Sequence, residues 1–401
     1  MKISKRSLTA AVASVAAASL LAIATPAHAT TVIKVWADDM VAKSLEAVVA
    51  DYEDANAVDV QVTIKDFGSL RDEFITATAS NTAPDIVAGA HDWTGKLAAA
   101  GAIAPINLGA KKSQFTPLAI KAGIFKGKNY MVPMATEGIA LLRNKSKAAT
   151  APKTWKQVLA GGVEIGFDAT AGDPYHFYPL QSSFNAPVFK SNSAGWTTTL
   201  GMGGTNGAKF AKWLANKNNH GLTAGIGWND LVCNLTTGKV TYWITGPWAT
   251  GSIAGGNDAC DGLGKTGYAI DTIPSAGGKP AQQFAGVRGF WLSAKSTNKV
   301  AATAFLLGFL STPTVQYQIF KDGGRIPASK AALVLAGSDR NIGGFAAATK
   351  NAVPMPNIVA MDSVWDKWGK AEAAIVTGKS SDPASDWAAM VKAIQKIINA
   401  G

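Results

Sequence analysis

Beyond a charged and then apolar N-terminal stretch, the hydrophobic positions switch repeatedly between the two periods of regular structure. Val32, Ile33, Val35 and Trp36 form an apolar run of strand length, Leu45, Val48, Val49 and Tyr52 recur at helical spacing, and Val58, Val60, Val62 and Ile64 alternate. Leu70, Phe74 and Ala77 return to the helical period, and Pro84-Asp85-Ile86-Val87 opens another strand. Strand, helix, strand, helix, strand predicts a mainly parallel sheet covered by helices, with ligands favoured at the carboxyl ends of the strands. A second unit of similar texture starts near Ile139. There, Ile139-Ala140-Leu141-Leu142-Arg143 predicts a strand and Thr154 the cap of a helix starting at Trp155. Val240-Thr241-Tyr242-Trp243-Ile244 predicts a strand that ends in Gly246-Pro247-Trp248. Trp387, Met390, Val391, Ile394, Ile397 and Ile398 mark a long amphipathic helix at the C-terminus.

The first residues belong to none of this. Lys2, Lys5 and Arg6 precede an apolar and small-residue run from Leu8 to Thr25, then Pro26-Ala27-His28-Ala29, which is the order of an export signal with a cleavage site after Ala29. The mature chain is expected to start at Thr30 and to work in the periplasm or outside the cell. No cysteine stands near the cleavage site to receive a lipid, so the product is expected to carry no lipid anchor. Signal removal takes three positive charges from the formal net charge of +11. The remaining Lys and Arg residues are spread without the dense runs of nucleic-acid or membrane-surface patches, so no nucleic-acid partner is expected. The mature length exceeds what one hydrophobic core usually organises, and two domains are expected.

Cys233 and Cys260 are the two cysteines of the chain, and an even count in an oxidising compartment favours a disulfide between them. Neither lies in a CxxC or HExxH cluster, and His91, His176 and His220 are scattered, so no metal site is expected. There is no GxSxG elbow. Gly264-Lys265-Thr266 resembles the end of a phosphate loop, but Ala259 stands where its first glycine is required. Neither catalysis nor a cofactor is indicated. Twelve tryptophans are more telling, because several aromatics sit beside turn residues: Trp93 follows Asp92, Tyr175 follows Pro174, Trp248 follows Pro247, and Trp365 lies shortly after Met355-Pro356-Asn357. A pyranose offers polarised C–H faces and a rim of hydroxyls, which flat rings flanked by carboxylates, amides and arginines can bind. Trp155, Trp196, Trp213, Trp291 and Trp387 are read as core packing.

Val35-Trp36-Ala37-Asp38, Ala83-Pro84-Asp85-Ile86, Ala90-His91-Asp92-Trp93, Thr136-Glu137, Asp173-Pro174-Tyr175, Asn234 through Gly246-Pro247-Trp248, Phe284-Ala285-Gly286-Val287 and Met355-Pro356-Asn357 follow one another in a series. In that order and spacing the chain resembles the maltose- and maltodextrin-binding proteins of bacterial ABC importers, within extracellular solute-binding protein family 1. The resemblance implies an α/β, two-lobed periplasmic-binding-protein fold of type II. Three interlobe crossings would fall at 136–139, at 284–289 and between Ser329 and Gly337. Residues 30–136 with 288–330 would form the N-terminal lobe, and residues 137–287 with 331–401 the C-terminal lobe. It also implies a monomer that is not an enzyme, that captures malto-oligosaccharides, and that passes them to a membrane permease with its ATPase subunit.

Position by position, the resemblance makes Asp92, Glu137 and Asp173 acceptors of sugar hydroxyls. It makes Tyr175, Trp248 and Trp365 the stacking platforms. Where the best-known members carry a tryptophan this chain has Gly89, and where they carry an arginine after the aspartate it has Trp93, so one platform is expected at the neighbouring position. Asp38 and Arg71 complete the expected contacts. Those departures leave trehalose, cyclodextrins, another oligosaccharide or a polyamine open as ligands, with a secreted carbohydrate-active enzyme as the more distant alternative.

Overall fold

Ile33, Val35 and Ala37 are fully buried while the residues between them face outward or are half-buried, so the first apolar run is a strand with one face on the core, β1 (Thr31–Ala37). The computed structural model describes residues 30–193 and 195–400. The expected export signal, residues 1–29, lies outside the described residues. β2 (Val58–Ile64) and β3 (Ile86–Ala90) both pair parallel to β1. β3 is buried along its whole length, as a strand covered on both faces must be. Apart from three small two-stranded hairpins, the other strands are β4 (Met131–Glu137), β5 (Ala140–Asn144), β6 (Val163–Ile165), β7 (Tyr242–Thr245), β8 (Tyr268–Asp271), β9 (Phe284–Leu292), β10 (Ile326–Pro327) and β11 (Val353–Pro354).

Two principal sheets result. The larger has seven strands in the order β10-β4-β9-β3-β1-β2, with β11 beside the start of β9, and the smaller has four in the order β8-β5-β7-β6. The expectation of a mainly parallel larger sheet needs correction. Only the β1, β2 and β3 ladder and the short β9–β11 pairing are parallel, whereas β9 runs antiparallel to both β3 and β4, and β10 antiparallel to β4. The helical crossovers that enforce parallel pairing occur early in the chain, and β9 enters the same sheet from a distant part of the sequence.

Local chemistry sets the helix boundaries. Asp38 caps α1 (Asp39–Glu46), accepting from the Val41 N–H, and the expected single helix through Tyr52 is broken at Val48 into α1 and α2 (Val49–Asn56). Asp66 caps α3 (Phe67–Ala79). Thr154 caps α4 (Trp155–Gly161) in a full capping box with Gln157, as its position predicts. Four further helices matter below: α5 (Pro174–Ser183), α6 (Trp228–Thr236), α7 (Trp365–Val376) and α8 (Pro383–Ala400). α8 buries Trp387, Met390 and Ile394 along one stripe.

Two carboxylates, the buried Asp85 and the half-buried Asp271, hold connections in place. Asp85, between Pro84 and β3, accepts from the Lys34 N–H at 2.9 Å and the Ser296 hydroxyl at 2.5 Å, tying β1 to the segment after β9. In the smaller sheet Arg143 pairs with Asp271 at 2.7 Å across β5 and β8. A disulfide joins Cys233 in α6 to Cys260, with 5.5 Å between their Cα atoms. It closes a loop with a sequence separation of 27 that contains β7 and the Gly246-Pro247-Trp248 turn. Replacing both cysteines with serine is expected to lower the unfolding free energy by roughly 3 kcal/mol on the chain-entropy account. Urea titration followed by far-UV circular dichroism measures it, and an unshifted midpoint would mean that packing alone holds the loop.

Candidate functional site

The carboxyl ends of β1 and β3 and the C-terminal end of β4 open toward the turn that follows β7 and the N-termini of α5 and α7. The predicted site residues gather at this junction. Asp38 follows β1, Asp92 follows β3 in a short 3-10 turn, and Glu137 closes β4. Asp173 and Tyr175 stand at the start of α5, Trp248 at the turn after β7, and Trp365 opens α7.

The acidic residues differ sharply in what they touch. Burial works against the charge of Asp38, but the guanidiniums of Arg288 and Arg325 outweigh it and hold its carboxyl below the usual carboxylate range; Arg288 Nη2 donates directly to its Oδ2. Glu137 Oε2 accepts from Arg325 Nη1 at 2.5 Å. Asp173 is occupied locally: one oxygen caps α5 through the His176 N–H at 3.1 Å, and the other meets the His176 ring at 2.7 Å. Asp92 has no cationic partner in contact. Burial pushes its carboxyl up to about 6, against the opposing influence of a 3.1 Å hydrogen bond from Trp365 Nε1 to its Oδ2. Its Oδ1 is buried without a partner. Behind Asp173, the fully buried Glu372 of α7 is held well above the usual carboxylate range by burial and by the Asp173 charge.

The aromatics form a connected wall. Tyr175 lies 6.3 Å from Trp248 and 6.2 Å from Phe284, while Trp365 meets Phe284 edge-on at 6.1 Å and stacks on Trp368 at 5.6 Å. Phe284 is itself stacked flat on Tyr178 at 3.8 Å. Tyr175, Trp248 and Trp365 are half-buried. The Tyr175 hydroxyl is buried with no partner. Gly246 makes the placement of Trp248 feasible, since a Cβ there would lie 2.2 Å from the indole.

Two expected contacts fall elsewhere. Trp93 is only 7 % exposed: its indole lies over Gly89, stacks on Phe67 at 5.1 Å and runs nearly parallel to Trp291 at 6.2 Å, so it is packed into the core instead of presenting an open face. Arg71 is committed to Asp72 and Asp362, each at 2.9 Å, and Lys96 grips the other oxygen of Asp362 at 2.7 Å. Arg71 thereby fastens α3 to the turn that leads into Trp365.

Sequence reasoning missed three residues that shape the site. His91 is buried and held neutral, its imidazole pushed down to about 4 by burial. Its Nδ1 accepts from the Val287 N–H at 3.0 Å, which leaves the proton on Nε2 to donate to the Met355 carbonyl at 3.0 Å. Arg288 and Arg325 are also buried. Arg288 lies beside a local irregularity: it pairs with Ala135 and the next residue, Gly289, with Pro133, so Met134 of β4 is the extra residue of a bulge. The available signal was Pro133 within an otherwise strand-like run.

Comparison with known proteins agrees with this architecture. The bacterial extracellular solute-binding protein family matches residues 47–341. The maltodextrin-binding protein MdxE of Bacillus subtilis is 26% identical over 353 residues, covering 83% of this chain and 82% of the relative. The maltotriose-binding protein of Pyrococcus abyssi is 26% identical over 320 residues, covering 77% of this chain and 69% of the relative. Among solved structures, the maltotriose-binding protein of Thermus thermophilus, bound with maltotriose, superposes with a TM-score of 0.80 at 28% identity, covering 91% of this chain and all of the other. A cyclo/maltodextrin-binding protein complexed with maltotetraose gives a TM-score of 0.72 at 26% identity, covering 92% of this chain and 97% of the other. The α/β architecture is thus that of the periplasmic binding proteins, and the chain belongs to the bacterial extracellular solute-binding proteins, a family that binds solutes and does not transform them.

Proposed function

We propose that the chain captures a neutral glucose-type oligosaccharide, of the malto-oligosaccharide class, between two lobes headed by the two sheets, and delivers it to the permease of an ABC importer. The lobes would comprise residues 30–136 with 288–330 and residues 137–287 with 331–401. One observation carries the reading: Tyr175, Trp248 and Trp365 form one aromatic wall with Phe284, and beside it Asp92 Oδ1 and the Tyr175 hydroxyl are buried without partners. Rings take the apolar faces of a pyranose, and unmatched polar atoms call for hydroxyls. The names of the relatives point to the same ligand class.

Contacts drawn from both lobes are complete only when they close, so the ligand would bias the hinge toward the closed form, the state a permease reads. Trp248→Ala and Trp365→Ala are each expected to weaken maltotriose binding at least about tenfold, the loss of about 1.4 kcal/mol of stacking, with the melting curve retained. Isothermal titration checks this, and wild-type affinity in both variants would remove the aromatic wall from the ligand site.

Asp92 gives the site a pH dependence. A sugar hydroxyl donating to Oδ1 favours the carboxylate, whereas burial in the free protein holds the proton up to about pH 6. Affinity is therefore expected to be full above pH 6 and to fall about tenfold per unit below it. Proton release on binding would be visible by titrating at pH 5 in buffers of different ionisation heat. The unliganded fold has the opposite sign: its Asp92 pKa is raised from 3.8, so this residue adds stability as pH drops through the window between about 6 and 3.8. Affinity that is flat from pH 7 to 5 would place Asp92 outside the contact set.

A further inference from the structure

We infer that Arg288 and Arg325 are specificity-determining residues of this site, restricting it to uncharged ligands rich in oxygen acceptors and rejecting cationic ones. The inference rests on the solute-binding reading above and names two contacts that the sequence did not single out.

The two arginines reach the junction from different elements, Arg288 from the middle of β9 and Arg325 from the residue preceding β10, and each is more than nine-tenths buried. Each also spends part of its guanidinium on one carboxylate. Arg288 Nη2 bonds Asp38 Oδ2, and Arg325 Nη1 bonds Glu137 Oε2. Aromatic rings lie beside both: the Arg288 guanidinium lies 4.3 Å from the centre of the Phe67 ring, and that of Arg325 lies 5.9 Å from Trp248. Among the remaining donors of each, the Nε–H is buried and has no acceptor among the described residues.

These donors sit in the same electrostatic neighbourhood as the two unmatched groups already described. Arg288 is felt at Asp92, and Arg325 is felt at Tyr175, at Asp38 and at Arg288 itself. The site therefore holds two groups that can only donate, one carboxylate oxygen that accepts, and one hydroxyl that does either. A hydroxyl is the ligand group that answers all of them at once, accepting from an arginine while donating to Asp92 or Tyr175. An ammonium group accepts nothing and leaves both Nε–H groups unmet.

Charge points the same way. Asp38 and Glu137 are each matched by a guanidinium and Asp173 is engaged with His176, which leaves Asp92 as the site carboxylate without a cationic partner in contact among the described residues. A polyamine or an amino sugar could meet that one carboxylate only by bringing its positive charge next to two buried arginines. An acidic sugar would have to compete with carboxylates already seated on the same guanidiniums.

The test uses the full mature protein with maltotriose, the disaccharide of glucosamine, and spermidine as probes. Wild-type protein is expected to bind maltotriose at least about a hundredfold more tightly than either amine. Arg288→Lys and Arg325→Lys keep the positive charge but lose the Nε–H, and each is expected to weaken maltotriose at least about tenfold while the melting temperature stays close to wild type. Arg325→Met, which frees the Glu137 carboxylate, is expected to narrow the gap between maltotriose and the glucosamine disaccharide at least tenfold, a change of preference that a merely structural arginine would not produce. Lysine variants with unchanged maltotriose affinity would overturn the inference and leave the solute-binding reading standing. Wild-type protein that ignores maltotriose but binds spermidine would sink both. Should a variant fail to fold, the wild-type discrimination decides alone: amines bound as tightly as maltotriose overturn the proposal.

Discussion

His91 has to be neutral for this site to keep its shape. Its Nδ1 accepts from the backbone of β9 and its Nε2–H donates to the Met355 carbonyl, so one imidazole fixes the end of β3, the middle of β9 and the segment that leads toward Trp365. A second proton would turn Nδ1 into a donor facing the Val287 N–H, and burial prevents that by holding the imidazole down to about 4. Asp92 is the next residue, and its Oδ2 receives the Trp365 indole, so the position of this buried carboxylate and that of the aromatic wall descend from the same contact. Arg71 and Lys96 reinforce it from α3 and its neighbouring helix by sharing Asp362, three residues before Trp365.

On that frame the site is built from groups that are rigid and incompletely satisfied. Buried polar atoms without partners cost a fold of order 1–3 kcal/mol each, and native structures carry few of them. Here Asp92 Oδ1, the Tyr175 hydroxyl and the Nε atoms of Arg288 and Arg325 are all of this kind and belong to one neighbourhood. Their carriers are held from behind, by the Trp365 indole, by the Phe284 ring, and by the Asp38 and Glu137 carboxylates respectively. On the reading proposed here, a ligand would have little to reorganise beyond closure itself, and its hydrogen bonds would form where water competes poorly.

Much of this was legible in the chain. The first three strands and the cap at Thr154 follow from hydrophobic period and capping chemistry, both of which are local, whereas Asp38, Asp92 and Glu137 were singled out by the resemblance and lie at strand ends. The arginines were not legible, because an arginine beside apolar residues gives no sign of whether it snorkels to solvent or turns inward, and their partners are carboxylates far away in sequence. Asp173 was visible as an acid beside an aromatic, but Asp-Pro-Tyr-His is equally a helix start, and the structure uses both of its oxygens on His176. The antiparallel entry of β9 was hidden for the same reason: strand direction is a tertiary property, and no pattern within Phe284–Leu292 encodes it.

The departure at Gly89 and Trp93 now has a physical account. The indole of Trp93 fills the space over Gly89, where a Cβ would lie 2.1 Å from the ring, so neither residue can be understood without the other: the tryptophan needs the glycine, and the glycine leaves a gap that the tryptophan closes. Phe67 covers the indole at 5.1 Å, and the Arg288 guanidinium lies over Phe67 in turn. The ring that resemblance assigned to a sugar therefore supports an arginine by way of a phenylalanine. On the reading proposed here, that side of the site contributes hydrogen-bond donors where the better-known members contribute a stacking face, and the aromatic contribution is concentrated on Tyr175, Trp248 and Trp365. Recognition would then be asymmetric, with ring faces read on one side and hydroxyls on the other, which is a stricter demand on ring orientation than stacking from both sides would make.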